Sequence, residues 1–270
     1  MAVERIIRCF DPERISRSGQ CFRMHAGDEN VIVAIAGRDR VTVEQVAPSL
    51  FVLDCSEKEF EDRWMAYFDI ARDYAQIQEE AMRADAVLCH ATKACSGLRI
   101  LKQDPWEMLI SFLISQRKSI KAIQTCIEQL CEKYGEKIEG DDPYHAFPTP
   151  VQLLSAGEVG LRSCGVGYRA PYLMDAAKRV ASGELALEEI TQCSNDELME
   201  ELLAVHGVGV KVASCVMLFG YHRLDSSPID VWIQRVIDES YGGVSPFEGY
   251  GKHAGIYQQY LFLERRDRGM

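Results

Sequence analysis

The sequence lacks the features that mark secreted, membrane-embedded or disordered proteins. Its 270 residues contain no apolar run long enough to span a bilayer, and even "VIVAIAG" from Val31 is short. The charged start "MAVERIIRCF" does not fit a secretory signal. There is also no low-complexity tract and no linker rich in proline, glycine and serine. We therefore expect an ordered globular protein that works inside the cell, with no membrane partner.

Cysteine pairing of the metal-binding kind is missing as well. The 10 cysteines are scattered along the chain, without C-x-x-C pairs and without the spacing of an iron–sulfur site. Most of them are expected to be reduced, buried, small apolar residues, with at most one in a local role.

An excess of positive charge is also missing. The formal net charge is −11, which by itself argues against a nucleic-acid partner because phosphate affinity comes from lysine and arginine. Net charge is a sum, however, and what matters is whether one face gathers the cations. Candidates for such a face are Arg117, Lys118 and Lys121 in one segment, with Arg169 and Lys211 elsewhere.

Periodicity divides the chain into a strand-rich and a helix-rich part. Up to about residue 55, short alternating segments are separated by the turn signals "DPE", "SRSG", "AGDEN" and "GRDR", which predicts a small antiparallel sheet. From Ser56, which with Glu59 has the pattern of a capping box, the spacing becomes helical. A helix pair with a break near Ser115 to Lys118 follows. The prediction is an α+β, mostly α protein, with a sheet domain and trailing helix over residues 1–98 packed on a helical domain over residues 99–270.

The segment "SNDELMEELLAVHGVGVKVASCVMLFG" predicts two helices joined by a very tight turn. Each helix has an apolar stripe, formed by Leu198, Leu202 and Val205 on the first and by Val212, Val216 and Phe219 on the second. Gly207 and Gly209 are expected to take positive φ angles and to allow close approach of another backbone. The amides at the turn are expected to form an anion site, where a phosphate could bind without basic side chains. The simpler interpretation is a helix-turn-helix whose glycines only cap and turn.

The segment that follows, "SSPIDVWIQRV", places Pro228 and Asp230 at the start of another helix. Asp230 fits the ordinary role of an N-cap. Together, G-V-G-x-K, a helix and P-x-D-V resemble the helix-hairpin-helix DNA glycosylase superfamily, in the branch with a catalytic lysine. Four further blocks resemble 8-oxoguanine DNA glycosylases in the same order, so that the resemblance covers nearly the whole chain: "SGQCFRM", "GLRILKQDPWEMLISFLIS", "CGVGYRAPYL" and "HAGIYQQYLF".

The resemblance implies that Lys211 and Asp230 are the catalytic pair. Expelling a purine from C1′ of the sugar develops positive charge on the sugar, and an amine can attack C1′ and hold the opened sugar as a Schiff base. A carboxylate can stabilise the cationic sugar and position or deprotonate the amine. In this family the lysine marks enzymes that also nick the strand by β-elimination. The simpler interpretation makes Lys211 a phosphate clamp and Asp230 a cap.

Four positions match base-recognition residues of the family, for a nucleotide that is rotated out of the duplex. The carbonyl of Gly19 would accept the N7 proton that 8-oxoguanine has and guanine lacks. Cys215 and Phe262 would sandwich the base, and Gln258 would bind its Watson–Crick edge. Each position alone also fits an ordinary role: a turn glycine, two core residues and a surface amide.

Further positions match residues that contact DNA, with departures from the family pattern. The resemblance implies DNA contacts for His206, Gly207, Gly209, Arg117, Tyr168, Arg169 and Trp232, with Tyr168 and Arg169 forming a wedge beside the unpaired opposite base. Arg117, Lys118 and Ser119 replace a run of asparagines, and Ala122 replaces the arginine that binds the opposite cytosine. Trp232 stands where histidine is frequent, and His206 where proline is common. The preferred opposite base therefore stays open, and "SQR" is similar to the equivalent loop of alkylpurine glycosylases.

These observations predict a base-excision-repair glycosylase with lysine-dependent lyase activity. We expect it to act as a monomer on duplex DNA containing 8-oxoguanine, in the compartment that holds the DNA. The alternatives are a glycosylase for another damaged purine and a non-catalytic DNA-binding module. The chemistry needs no metal or other cofactor. The resemblance also implies a structural cation held by the carbonyls of Leu203, Val205 and Val208, and a closing helix, Gly255 to Arg266, that lines the base pocket.

Overall fold

A computed structural model describes residues 2–140 and 142–269. Their contacts divide the chain into two compact units. The first comprises Met1–Ala34, Val41–Lys102 and His222–Met270, and the second comprises Ile35–Arg40 and Gln103–Tyr221. The division is discontinuous in sequence, whereas the sequence predicts a single boundary after residue 98. No helix among the described residues is long and apolar enough to cross a membrane.

A five-stranded antiparallel sheet occupies the start of the chain, as predicted. Its strands lie in the order β1-β5-β4-β3-β2. The register pairs Val3 with Leu53, Val43 with Leu53, and Met24 with Ala34, and Val43 and Leu53 are fully buried. Residues 35–40, at the β3–β4 turn, cluster with the second unit. The strands are β1 Val3–Ile6, β2 Met24–Ala26, β3 Val31–Ala36, β4 Asp39–Ala47 and β5 Leu50–Leu53.

The segment "DPERISR" forms a helix, α1 Pro12–Arg17, so the prediction of a turn at "DPE" is wrong. Asp11 is the N-cap, and its carboxylate accepts a hydrogen bond of 2.8 Å from the Arg14 N–H. Asp-Pro is ambiguous because the same pair that starts a turn also supplies an N-cap followed by proline at the first helical position, where no N–H is needed.

The helical periodicity after Ser56 is confirmed. Ser56 accepts from the Glu59 N–H, and the Glu59 carboxylate accepts from the Ser56 N–H at 2.7 Å, which completes the capping box. Phe60 and Trp64 are buried, and Trp64 stacks on Phe68. The helices are α2 Glu57–Glu59, a π-helical turn Phe60–Trp64, α3 Met65–Tyr67, α4 Tyr74–Ala84 and α5 Ala86–Ala94.

The described part of the second unit contains six α-helices, two short 3-10 helices, Gly167–Arg169 and Glu189–Gln192, and one small strand pair. The predicted break is confirmed: one helix ends at Ser115, and the next begins at Ile120 with Ser119 as its N-cap. Strands β6 Lys137–Ile138 and β7 Tyr144–His145 are antiparallel. The helices are α6 Pro105–Ser115, α7 Ile120–Tyr134, α8 Pro150–Arg162, α9 Ala170–Ser182, α10 Asn195–Leu203 and α11 Val210–Phe219.

The chain then returns to the first unit and completes it with α12 Val231–Ser240, α13 Phe247–Tyr250 and α14 Ala254–Arg268. Helix α14 contains the predicted closing helix, and ten of its residues are buried. All ten cysteines lie among the described residues, and none forms a disulfide. The fold is α+β and mostly helical, as predicted.

Candidate active site

The helical hairpin lies in the second unit, and its turn has the tight geometry that its glycines predict. The apolar stripes of α10 and α11 are buried: Leu198, Leu202, Val205, Val212, Val216 and Phe219. Gly207 has φ +86°, a left-handed conformation that favours glycine. A Cβ added there would lie 2.4 Å from the ring of Tyr172. The fold itself therefore requires glycine at position 207.

Gly209 differs from Gly207, and its predicted positive φ is wrong. It is the N-cap of α11 with φ −103°, a conformation open to any residue. A Cβ added at Gly209 would meet nothing within 4 Å, and the residue is exposed. Nothing inside the described chain requires glycine here, and the absence of a side chain leaves the first amides of α11 uncovered.

Three side chains that sequence analysis missed hold the hairpin turn. Asp175, on α9, accepts a hydrogen bond of 2.9 Å from the His206 N–H. Gln116 donates from Nε2 to the Gly207 carbonyl at 3.1 Å. The Tyr172 ring packs edge-to-face on the exposed His206 ring, with centroids 4.7 Å apart. None of the three lies in the hairpin sequence, so only their three-dimensional neighbourhood identifies them.

Lys211 follows Gly209 by two residues and lies in the first turn of α11. Its side chain is partly buried, and Nζ lies 5.2 Å from the centre of the Phe112 ring. Phe112 in turn stacks on Phe219, with ring centroids 5.5 Å apart. The Lys211 amine makes no hydrogen bond or ion pair with any residue of 2–140 or 142–269. The Lys211 amine therefore packs on the stacked rings of Phe112 and Phe219 and has no hydrogen-bond or ion-pair partner among the described residues.

Cys215 lies one helical turn after Lys211, so both side chains emerge on the same face of α11. Cys215 is 3% exposed. One helix thus carries the candidate nucleophile and a candidate base-stacking residue.

The loop between α6 and α7 carries the departures from the family pattern. Arg117 is exposed and has φ +54°, an unfavourable left-handed conformation for a residue with a Cβ. The Lys118 ammonium donates to the Gly165 carbonyl at 3.0 Å, which ties its side chain to the protein. Ala122 is partly exposed in the first turn of α7. Arg117 and Ser119 are therefore the exposed residues of this loop, and Arg117 is the basic one.

Of the two residues predicted to form a wedge, Tyr168 lies at the surface and Arg169 in the interior. Tyr168 is 50% exposed, but Arg169 is only 5% exposed. The Arg169 guanidinium donates to the carbonyls of Val166 and Gln116 and lies over the Tyr168 ring, 4.3 Å from its centre. Arg169 does not form an exposed wedge in this structure, because both terminal nitrogens of its guanidinium donate to carbonyls at the end of α6 and beside α9. It instead supports the Tyr168 ring from beneath.

In the first unit, Asp230 is the N-cap of α12. Its Oδ1 accepts hydrogen bonds of 2.9 Å from the N–H groups of both Trp232 and Ile233. No residue among the described ones donates to its second oxygen, Oδ2. The ordinary capping role is therefore confirmed, and it uses only one side of the carboxylate. A capped, oriented carboxylate with one open oxygen suits charge stabilisation.

Gln258 lies on α14 and is 2% exposed, so its interpretation as a surface amide is wrong. Its Nε2 donates to the Pro228 carbonyl at 2.8 Å, and its Oε1 accepts from Gln259 at 2.8 Å. An amide has two donor and two acceptor positions, so one of each remains for a ligand. The bond to Pro228 also ties α14 to the loop that leads into Asp230.

The remaining predicted positions of the first unit are partly exposed. Gly19 has φ +80°, consistent with the predicted turn glycine. Phe262 is not buried in the core, and the Arg266 guanidinium lies 5.7 Å from its ring centre. Trp232 packs against Gly269 and Arg235.

The described residues contain no group of three or more histidine, cysteine, aspartate or glutamate side chains that could hold a metal ion. Main-chain oxygens are the remaining ligands at the hairpin, and the Val205 carbonyl there accepts the Val208 N–H at 3.0 Å.

Comparison with known proteins places this architecture in a family. Residues 5–109 match the N-terminal domain of 8-oxoguanine DNA glycosylase, and residues 110–246 match the HhH-GPD superfamily of base excision DNA repair proteins. The probable N-glycosylase/DNA lyase of Methanothermobacter thermautotrophicus is 28% identical, over 97% of this chain and 95% of the relative.

Two solved structures are similar over the whole chain. The Clostridium acetobutylicum 8-oxoguanine glycosylase/lyase, in complex with duplex DNA that has cytosine opposite 8-oxoguanine, is 35% identical with a TM-score of 0.93, covering 100% of this chain and 99% of that one. MBOgg1, in complex with a low-affinity DNA ligand, is 35% identical with a TM-score of 0.95, covering 100% and 96%. The chain therefore belongs to the 8-oxoguanine DNA glycosylase family of the helix-hairpin-helix (HhH-GPD) superfamily.

Proposed function

We propose that this protein excises 8-oxoguanine from duplex DNA and nicks the resulting abasic strand through a Schiff base on Lys211. The observation that carries the proposal is the Lys211 amine itself, which is held on the Phe112 ring and makes no hydrogen bond or ion pair with the described residues. A lysine that only binds phosphate needs a positive charge at this place, whereas a nucleophile needs an amine that is not held by a hydrogen bond or an ion pair.

The proposed reaction uses Lys211 and Asp230 on one flipped nucleotide. The Lys211 nitrogen forms a bond to C1′, and the bond from C1′ to the purine nitrogen breaks, with its electron pair leaving on the base. The amine loses its protons to a general base and the sugar ring opens, which gives the Schiff base. Loss of a C2′ proton then expels the 3′ phosphate by β-elimination. The open Oδ2 of Asp230 stabilises the positive charge that develops on the sugar.

Recognition of the base is proposed for four residues. The Gly19 carbonyl accepts the N7 proton of 8-oxoguanine, and the unused donor and acceptor positions of Gln258 bind the Watson–Crick edge. Cys215 and Phe262 contact the two faces of the base. Phe262 is suited to this role because its ring is partly exposed rather than locked in the core.

Binding of the DNA backbone is proposed at the hairpin, where the uncovered amides after Gly209 accept a phosphate. His206, exposed beside the turn, and Trp232, near Asp230, supply neighbouring contacts, and Arg117 and Tyr168 are the exposed candidates near the opposite strand. We expect the protein to act in the compartment that holds the cell's DNA.

No metal is required by the proposed chemistry. The carbonyls of Leu203, Val205 and Val208 are the candidates for a structural cation, which would link the hairpin to a phosphate. The set fits a hard cation because all three ligands are main-chain oxygens. The Val205 carbonyl keeps one lone pair beyond its bond to the Val208 N–H.

Two observations weigh against the alternative functions. Residues 5–109 match the N-terminal domain of 8-oxoguanine glycosylases, which does not favour a lesion such as an alkylated purine. A non-catalytic DNA-binding module would not need a lysine without a polar partner, such as Lys211, or a carboxylate with one oxygen unbound, such as Asp230.

The test is borohydride trapping on a duplex with one 8-oxoguanine opposite cytosine. We expect a covalent protein–DNA adduct with the wild type and none with Lys211→Gln, which still binds the duplex. Lys178→Gln, an exposed lysine of α9 in the same unit, is the matched control and should give the full adduct. A wild-type protein that binds this duplex without forming an adduct would contradict the proposed lesion, and trapping that survives Lys211→Gln would contradict the proposed nucleophile.

A further inference from the structure

The segment Leu98–Lys102 runs through the first unit without belonging to a helix or strand, and residues 98–101 are buried. Buried backbone groups need hydrogen-bond partners. Backbone carbonyls accept from the N–H groups at the two ends of the segment, Leu98 and Lys102, and side chains bind the residues between them. The Ile100 N–H donates to the Tyr74 hydroxyl at 2.9 Å, and the Ile100 carbonyl lies 3.2 Å from Nε2 of His222. The middle of the segment, residues 99–101, is therefore held by side chains, where a strand would be held by a neighbouring strand.

Gln20 is the side chain that binds this segment at two consecutive peptides. Its Nε2 donates to the Arg99 carbonyl at 2.8 Å, and its Oε1 accepts from the Leu101 N–H at 2.8 Å. Nε2 also donates to the Ser18 hydroxyl at 3.0 Å, and this hydroxyl donates to the Ile15 carbonyl at 2.7 Å. Gln20 and Ser18 are both 0% exposed. Both neighbours of Gly19 are thus pinned in the interior.

The segment to which Gln20 is bound is itself anchored. The Arg99 guanidinium donates to three carbonyls, those of Cys9 at 2.9 Å, Asp69 at 2.7 Å and Arg8 at 2.8 Å. It also lies 4.4 Å from the centre of the Tyr74 ring. Displacing the Arg99 peptide would disrupt several buried hydrogen bonds together, so Gln20 is attached to a stiff support.

Gly19 lies between the two pinned residues. It is partly exposed, has φ +80°, and its carbonyl accepts no hydrogen bond from the described residues. The peptide that carries this carbonyl joins Gly19 to Gln20, so its orientation depends directly on where the Gln20 side chain is held.

We propose that Gln20 is a positioning residue for lesion recognition: by binding the Arg99 and Leu101 peptides it fixes the direction of the Gly19 carbonyl, the proposed acceptor of the N7 proton. This inference rests on the proposed function. A single hydrogen bond distinguishes 8-oxoguanine from guanine only if its acceptor cannot turn away, because a mobile acceptor gives up part of the bond and adapts to the wrong base. Gln20 itself does not touch the base.

The test separates recognition of the base from the chemistry of the sugar. Gln20→Met keeps the volume of the side chain and removes its hydrogen bonds to Ser18, Arg99 and Leu101. Single-turnover excision of 8-oxoguanine should fall about tenfold to a hundredfold, the effect of losing one well-oriented buried hydrogen bond. Borohydride trapping on a duplex with a preformed abasic site should stay at the wild-type rate, since that substrate has no base to recognise.

The matched control is Gln78→Met, which changes a buried glutamine of α4 in the same unit, 8% exposed. We expect it to leave both activities at the wild-type level. If Gln20→Met does not fold, Gln20→Glu decides, because it keeps the acceptor for the Leu101 N–H and loses the donor to the Arg99 carbonyl. It should show the same selective loss of excision.

Parallel loss of excision and of abasic-site trapping in the Gln20 variants would mean a merely structural role and would overturn the inference. Unchanged excision would overturn it as well. Failure of the proposed function gives a different pattern, in which the wild-type protein itself traps abasic DNA but does not excise 8-oxoguanine.

Discussion

Replacing the two hairpin glycines one at a time should separate an effect on the stability of the fold from an effect on DNA binding. Gly209 has φ −103° and open space where a Cβ would be, so Gly209→Ser fits without strain. Serine is at least as good an N-cap as glycine and restricts the unfolded chain, so the free energy of unfolding should stay equal or rise by up to about 1 kcal/mol. The added side chain covers the first amides of α11, however. Loss of a hydrogen bond to a charged phosphate should weaken duplex binding by about tenfold to a hundredfold.

Gly207→Ala should behave in the opposite way. Its φ of +86° disfavours alanine, and the added Cβ would lie 2.4 Å from the Tyr172 ring. Left-handed strain and overpacking together should lower the free energy of unfolding by roughly 2–4 kcal/mol. Adding Tyr172→Ala should restore the part of the free energy of unfolding that is lost to overpacking. The part that is lost to the left-handed φ should remain.

The measurements are urea unfolding and fluorescence anisotropy of a labelled duplex at fixed salt. Wild-type affinity in Gly209→Ser would refute the assignment of a phosphate to the first amides of α11. A clear loss of stability in Gly209→Ser would show instead that the glycine has an internal role that the contacts do not reveal.

Three further predictions concern single residues. Asp230→Asn keeps an equally good N-cap, so the free energy of unfolding should change by less than about 1 kcal/mol, while single-turnover excision falls by about a hundredfold or more. Burial lowers the pKa of His222 from its usual 6.5, more strongly than Asp69 raises it. Below that pH the unfolded chain therefore binds more protons, so the free energy of unfolding should fall from about pH 7.5 to about pH 5.5, and less so in His222→Asn. Arg117→Gly should stabilise the fold by about 1 kcal/mol, because it relieves a left-handed φ, and should slow excision by removing the exposed basic side chain of its loop.

Each of these has a matched control. Asp104→Asn changes another aspartate N-cap, that of α6, and should leave excision intact. His90→Asn changes an exposed histidine and should keep the pH dependence of the wild type, and an equal flattening in both variants would exclude His222 as the source. Arg117→Ala removes the side chain but keeps the left-handed strain, so it should slow excision without stabilising the fold. Rapid excision by Asp230→Asn would remove the carboxylate from the mechanism.

Much of the fold followed from local patterns in the sequence. The capping box of Ser56 and Glu59, the break between α6 and α7 and the two apolar stripes of the hairpin depend on residues within a few positions of one another, so short-range periodicity predicts them. The placement of Asp230 as an N-cap is local for the same reason. The family resemblance was carried by motifs of this kind, and the comparisons bear it out.

Only the tertiary structure decided the properties that depend on distant neighbours. Helix α1 replaced the predicted turn because Asp-Pro begins either structure, and packing selects between them. Gly207 needs its glycine because Tyr172 of α9 covers it, whereas Gly209 has no such neighbour. Arg169 lies in the interior, where the carbonyls of Val166 and Gln116 accept from the two terminal nitrogens of its guanidinium. The sequence by itself thus determined most of the elements, though not α1, and the chemical groups that they carry. The long-range contacts determined which of those groups are buried, supported or left open, because burial is a property of the folded chain and not of a residue's sequence neighbours.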